Sequence, residues 1–351
     1  MASMKDVARL SGVSVSTVSR VINNSLPVDA ETRRRVEAAI EKVNYTPNLL
    51  ARGLRMRSGH LIGLVIPDLS NQTFSHLIDY GQESALQHGY DVIVGITNND
   101  ADAEERFIKG LLDRNVDGVI FSRVSDRSHV LRMMDRKGVP FVVLDRSLQH
   151  EQVPTVVLDN ERAGKMAAEH LLSLGHRELA CITGPLDIAI VRDRFGSFRE
   201  TVAAGGGTLP DSSVYEGDFS YRSGEQGVQK LLSTGSRFSA LWALNDYMAV
   251  GALNALRAEG LRVPEDVSLV GLDNVDCSWM SRPQLTTIEQ PFRQMCAEAV
   301  SILVSLKAGE PPASRRVVLE PALVVRGTTA AAATRDSESI RVMRESEKKE
   351  V

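Results

Sequence analysis

The sequence predicts a small all-α unit followed by a two-lobed α/β core with parallel sheets. Two patterns carry that prediction: capped helical periodicity within the first 45 residues, and strand-like apolar runs alternating with helical stretches from Leu61 onward. Charge points the same way. The first 60 residues hold ten Lys and Arg against five Asp and Glu, a local +5, while the whole chain nets -4 and the remainder therefore -9. A polyanionic partner is implied for the first unit only. At 351 residues the chain also exceeds one ordinary hydrophobic core.

In order along the chain, MKDVARLSGVSVSTVSRVIN from Met4 to Asn23 reads as two short helices joined at Gly12. Val7, Ala8 and Leu10 give the first an apolar face, Ser14 caps the second, and Val18, Val21 and Ile22 pack backwards. Val15, Ser16, Thr17, Ser19 and Arg20 are left pointing away from that core, a polar surface suited to a major groove. A third helix capped by Asp29 offers Val36, Ala39, Ile40 and Val43 as its buried stripe. Thr46 and Pro47 then read as the N-cap and N1 of a short helix, NLLARGLRMR, too short to be stable alone and weakened by Gly53.

The runs LIGLVIPD, YDVIVGIT, DGVIFSRV, PFVVLDR, ELACITG, SALWALND and VSLVGLDN supply the strands, and Gly89, Gly138, Gly175 and Gly260 stand where helix C′ residues are needed. In open parallel sheets the carboxyl ends of strands face the crevice, so polar residues ending these runs are the natural ligand candidates. They are Asp68, Asn71, Ser122, Asp145, Arg146, Asp159, Asn245, Asp246 and Asp273. The tail, 329–351, is polar and expected to be disordered.

Taken together, DVARLSGVSVSTVSRVIN, then NYTPN, then ARGL, resemble the signature of the LacI family of bacterial repressors, and the resemblance runs to about Gly327. It implies a helix-turn-helix DNA-binding domain over 1–45, a hinge helix over 46–58, and a type I periplasmic-binding-protein-like core over 59–328. The N-lobe would take 59–158 and 291–318, the C-lobe 159–290 and 319–328. By this resemblance Val15, Ser16, Thr17 and Arg20 face base edges, while Ser14, Ser19, Asn23, Thr32, Tyr45 and Asn48 hold phosphates, with Met4 counted beside them. Ala51 would lie on the minor-groove floor, and Leu54 would wedge between base pairs.

The same resemblance places an effector, a carbohydrate by expectation, against Asp68, Asn71, Phe74, Ser122, Asp145, Arg146, Arg194, Phe219, Asn245, Asp273 and Phe292. Carboxylates and amides pair with hydroxyls and a ring covers an apolar sugar face, whereas Arg146 and Arg194 leave an anionic or phosphorylated ligand open. A phosphorylated carrier protein acting as corepressor is the alternative. The expected assembly is a homodimer on double-stranded operator DNA, with Leu77, Tyr80 and Gln82 carrying the subunit interface.

Other classes find little support in the residues. There is no GxGxxG or P-loop pattern, and the Gly205–Gly207 run lies near a helix end, so neither an enzyme nor a cofactor is expected. Seven scattered histidines lack metal spacing, and Cys181, Cys277 and Cys296 form no CxxC pair, so they are expected to be reduced thiols, with Cys277 in a loop. No signal peptide or membrane-spanning run is read, and a cytoplasmic location follows as an expectation.

Overall fold

The computed structural model describes residues 2–23, 27–45, 59–122, 128–146 and 153–333. It divides into two compact units, Met1–His60 and Leu61–Val351. Each has a core of its own.

The first unit is three helices: α1 (Met4–Ser11), α2 (Val15–Asn23) and α3 (Ala30–Lys42). Ser3 caps α1 through a reciprocal capping box with Asp6, and Gly12 ends it in the left-handed region at φ 67°, a conformation a Cβ would resist. Ser14 Oγ accepts from Thr17 N at 3.1 Å to start α2, and Asp29 accepts from Thr32 N at 2.8 Å to start α3. Val7, Ala8, Val18, Val21, Val36 and Ala39 close the core, with Ile22, Ile40, Val43 and Tyr45 packed around it. One expectation fails here: Leu10 is 44% exposed, and Ser11 takes the inward position, its hydroxyl donating to Val7 O. A buried serine satisfied by its own helix reads as polar in sequence, which hides the true face. The predicted hinge over 46–58, with Asn48, Ala51 and Leu54, lies outside the described residues.

In the second unit, strands that are largely apolar and buried at the centre but partly exposed at the edges build two six-stranded sheets. The first orders β11 (Arg316–Leu319), β5 (Thr155–Leu158), β4 (Phe141–Leu144), β3 (Gly118–Phe121), β1 (Leu61–Ile66) and β2 (Asp91–Ile96), all parallel. Near-continuous Val, Ile and Leu suit it because helices cover both faces. On one face lie α4 (Gln72–Gln87) and α12 (Phe292–Ala308); on the other, α5 (Ala101–Asp113) and α6 (Ser128–Lys137). The second sheet orders β12 (Ala322–Val324), β10 (Thr286–Glu289), β9 (Ser268–Asp273), β8 (Ala240–Ala243), β6 (Leu179–Thr183) and β7 (Val214–Glu216), parallel apart from β12. Its core includes Trp242 against Phe198, ring centroids 4.6 Å apart. Around it lie α7 (Asn160–Ser173), α8 (Ala189–Ala204), α9 (Tyr221–Ser233), α10 (Asp246–Ala258) and the short α11 (Asp276–Met280). The four expected C′ glycines all have positive φ.

The chain crosses between the sheets at Leu158–Asn160, at Glu289–Phe292 and at Leu319–Ala322. The segment expected to begin the tail is held: Ala330 N donates to Ser268 Oγ at 3.0 Å, Ala332 N to Leu174 O at 2.8 Å, and buried His176 bonds both Ser239 Oγ and Ala330 O. Order therefore extends past 328. Cys277 is likewise not in a loop but in α11, half-buried, and burial pushes its thiol well above the usual range, as it does for Cys181 and Cys296.

Candidate ligand cleft and nucleic-acid interface

Strand-end geometry assembles a cleft in the second unit, lined by Asn71, Thr73, Phe74, Asp145, Arg146, Ile188, Ile190, Arg194, Phe219, Asn245, Asp273 and Gln290. Asp145 directly follows β4, Asp273 ends β9, and Asn245 caps α10 just past β8. Asp145 (φ 69°), Phe219 (φ 69°) and Asp273 (φ 125°) all occupy the left-handed side of backbone space. Such costs of order 1–3 kcal/mol each persist where the surroundings impose them, and they gather at functional sites.

The cleft is electrically balanced. Burial raises the Asp145 carboxyl above the ordinary carboxylate range, against the pull of Arg194 and Arg146; burial also lowers Arg194, against Asp273, Asp145 and Asp193. Asp273 rises through burial, opposed by Arg194 and by hydrogen bonds from Gln290 Nε2 (2.6 Å) and Thr73 Oγ1 (2.8 Å). Thr73 belongs to the first lobe and Asp273 to the second, so this bond spans the cleft. Asn245 is spent on position: its Nδ2 donates to Phe219 O at 3.0 Å and its Oδ1 accepts from Met248 N at 2.8 Å, fixing the ring wall.

Behind Asp273, Asp246 is wholly buried and accepts from Thr287 Oγ1 and Val275 N; burial first and Asp273 second push its pKa upward. A raised carboxyl contributes stability that is fully present below the unfolded value near 4 and lost as pH climbs to the raised value. In Asp246→Asn the amide still satisfies both partners, donating to the Thr287 hydroxyl and accepting from Val275 N. The wild type is therefore expected to lose stability relative to this variant between pH 5 and pH 8, by up to about 1.4 kcal/mol per pH unit. Paired thermal melts check this; a gap that stays constant across that range contradicts it.

Three expected ligand residues lie elsewhere. Asp68 is turned to its own loop, accepting from Ser70 N and Ser70 Oγ; Ser122 is buried beyond β3; Phe292 is 6% exposed and stacks on His76, centroids 5.7 Å apart, within the first-lobe core. Thr73, Ile188, Ile190 and Gln290 line the cleft without having been foreseen. Gln290 was legible, standing one residue past β10 in TTIEQ, where the strand-end rule applies. Leu77 is fully buried within its own protomer and unavailable to a partner, while Tyr80 is half-buried under the Arg293 guanidinium.

In the first unit, Val15 is 38% exposed at the start of α2, with Ser16 and Arg20 exposed and Thr17 and Ser19 half-buried beside it. Ser14 Oγ sits 2.7 Å from Ser16 Oγ and 2.9 Å from Thr17 Oγ1, so its hydroxyl is already engaged in the cap. Thr32 is half-buried on the first turn of α3; Asn23 ends α2. Met4 and Tyr45 pack against the core, limiting each to what its half-exposed edge can reach. Arg35 donates to Ser11 O, locking α3 to the end of α1, a structural role for one member of the basic run.

Comparison with known proteins agrees with both units. Residues 3–48 match the model described as bacterial regulatory proteins, lacI family, and residues 168–329 match a periplasmic binding protein-like domain. The ribose operon repressor of Escherichia coli (strain K12) is 34% identical over 330 residues, covering 93% of this chain and all of its own. A solved lac repressor dimer bound to operator and the anti-inducer ONPF is 33% identical, with TM-score 0.85 over 94% of this chain and 99% of that one. A transcriptional regulator CelR–cellobiose complex is 32% identical, with TM-score 0.71 over 93% and 100%. Among the described residues no helix is long and apolar enough to cross a membrane.

Proposed function

Since the chain belongs to the LacI family of bacterial regulatory proteins, we propose that it is a repressor that binds a near-palindromic operator as a homodimer and is controlled by a neutral sugar in the cleft of its second unit. The observation that carries this is the charge balance: Arg146 and Arg194 are offset by Asp145 and Asp273 between apolar walls of Phe74, Phe219, Ile188 and Ile190. Two guanidinium groups and two carboxyl groups offer donors and acceptors for a diol, and the carboxyls counter the positive charge that a phosphate would need. Relatives named for ribose and solved with cellobiose support a carbohydrate.

On this reading, Val15, Ser16, Thr17 and Arg20 meet base edges, and Ser14, Ser19, Asn23, Thr32 and Tyr45 meet phosphates. Asn48, Ala51 and Leu54 retain the roles their sequence positions imply, phosphate for the first and the minor groove for the other two. The protein works where its DNA is, in the cytoplasm. Calorimetric titration with D-ribose, D-glucose, D-galactose, cellobiose and the phosphates of the first three tests the cleft. Saturable binding of a neutral sugar is expected; binding of a phosphate alone would overturn the neutral assignment.

The homodimer reading draws on Trp279 (50% exposed) and Met280 (62% exposed), adjacent apolar side chains on α11. With Gln82 exposed on α4, they are the second-lobe and first-lobe contributions to the subunit interface. Trp279→Asp is expected to shift sedimentation from dimer to monomer at micromolar concentration; an unchanged dimer would place the interface elsewhere.

A further inference from the structure

We propose that Asn160 is a positioning residue that ties the ligand-gripping Arg194 to the backbone crossover between the lobes. This rests on reading the cleft as the effector site. Asn160 does not line the cleft. It is the first residue of α7, separated from β5 only by the N-cap Asp159, 7% exposed, and both ends of its amide are engaged. Its Nδ2 donates to Leu158 O at 3.0 Å, and its Oδ1 accepts from Arg194 Nε at 2.6 Å. The amide orientation follows from its partners, because an arginine Nε only donates and a carbonyl only accepts.

Arg194 therefore spends its Nε on Asn160 and keeps both Nη groups for the cleft, where it is 3% exposed and shares the lining with Asp145 and Asp273. Its helix packs closely on α7 as well: a Cβ on Gly164 would come within 2.1 Å of Arg194 O, so only glycine permits this approach of α8. With its side chain bonded to α7 and α8 packed closely on that helix, a ligand drawing the guanidinium forward loads the Asn160 bond. That load falls on Leu158, whose neighbour Asp159 N donates to Leu319 O at 2.8 Å. Leu158 also registers with Leu319 in the sheet, so two of the three crossovers receive the pull. Grip and lobe movement are thus linked through one amide.

The test uses full-length wild type, Asn160→Ala and Asn160→Asp, the sugar panel above, and an operator obtained by selection from genomic fragments. A carboxylate at 160 still accepts from Arg194 Nε but cannot donate to Leu158 O, so the two arms separate. Asn160→Ala is expected to weaken sugar binding by about tenfold or more. Asn160→Asp is expected to restore most of that affinity while the sugar no longer changes operator affinity. Should Asn160→Ala not fold, Asn160→Asp alone carries the prediction, through bound sugar without an operator response. Wild-type coupling in Asn160→Asp, or equal loss of affinity in both variants, overturns the assignment. If instead no panel sugar binds, or Arg194→Ala leaves the wild-type response intact, the cleft reading itself has failed and this assignment with it.

Discussion

Arg194→Ala is expected to weaken sugar binding by about 100-fold or more and to abolish the sugar's effect on DNA binding. The side chain is buried in a cleft it shares with the buried Asp145 and Asp273, so its hydrogen bonds to a ligand would be charge-assisted and weakly screened. Removing it deprives Asp273 of the guanidinium that opposes its burial and leaves Asp145 with Arg146 alone. Because burial already raises both carboxyls, they answer by taking up protons, and the stability lost in the variant is recovered in part as the pH is lowered from 8 to 5. Arg194→Lys does not rescue binding: an ammonium on a flexible stem cannot bond Asn160 and fork toward a diol together. Calorimetry with the cognate sugar, beside melts at the two pH values, reads both effects. Wild-type affinity in Arg194→Ala would remove this residue from the site.

Val18→Asp is expected to abolish specific DNA binding while leaving the second unit intact. Val18 is fully buried in a core of six small side chains, and a three-helix unit of this size has only a few kcal/mol to lose. Burying an unpaired carboxylate there costs at least that much. The two units have separate cores, so the main thermal transition and sugar binding should stay as in the wild type. Loss of sugar binding in this variant would show that the units are not independent.

Much of this was legible because period and burial coincide. The central strands are largely apolar since both sheet faces are covered, and polar residues at or just past their ends fall into the crevice by topology, which located Asp145, Asn245 and Asp273. The misreadings occur where that coincidence breaks. Phe292 follows a crossover as a ligand-facing ring could, yet stacks on His76 in the first-lobe core, and linear pattern holds nothing about which way a ring turns after a crossover. Leu77 shares a helix with exposed residues but occupies its innermost position. Ile188 and Ile190 enter the cleft through the approach of α8 to it, a tertiary placement invisible in local spacing. Asn160, flanked by Asp159 and Glu161, looks like one more polar helix start; only the fold shows Arg194 beside it.

The most direct measurement is selection of genomic fragments with the purified protein, followed by fluorescence titration of the enriched DNA with and without each panel sugar. The account predicts an enriched near-palindrome whose affinity changes tenfold or more with one neutral sugar, a coupling of about 1.4 kcal/mol or greater. No enriched sequence at moderate salt, or an enriched site indifferent to every sugar that the protein binds, would contradict it.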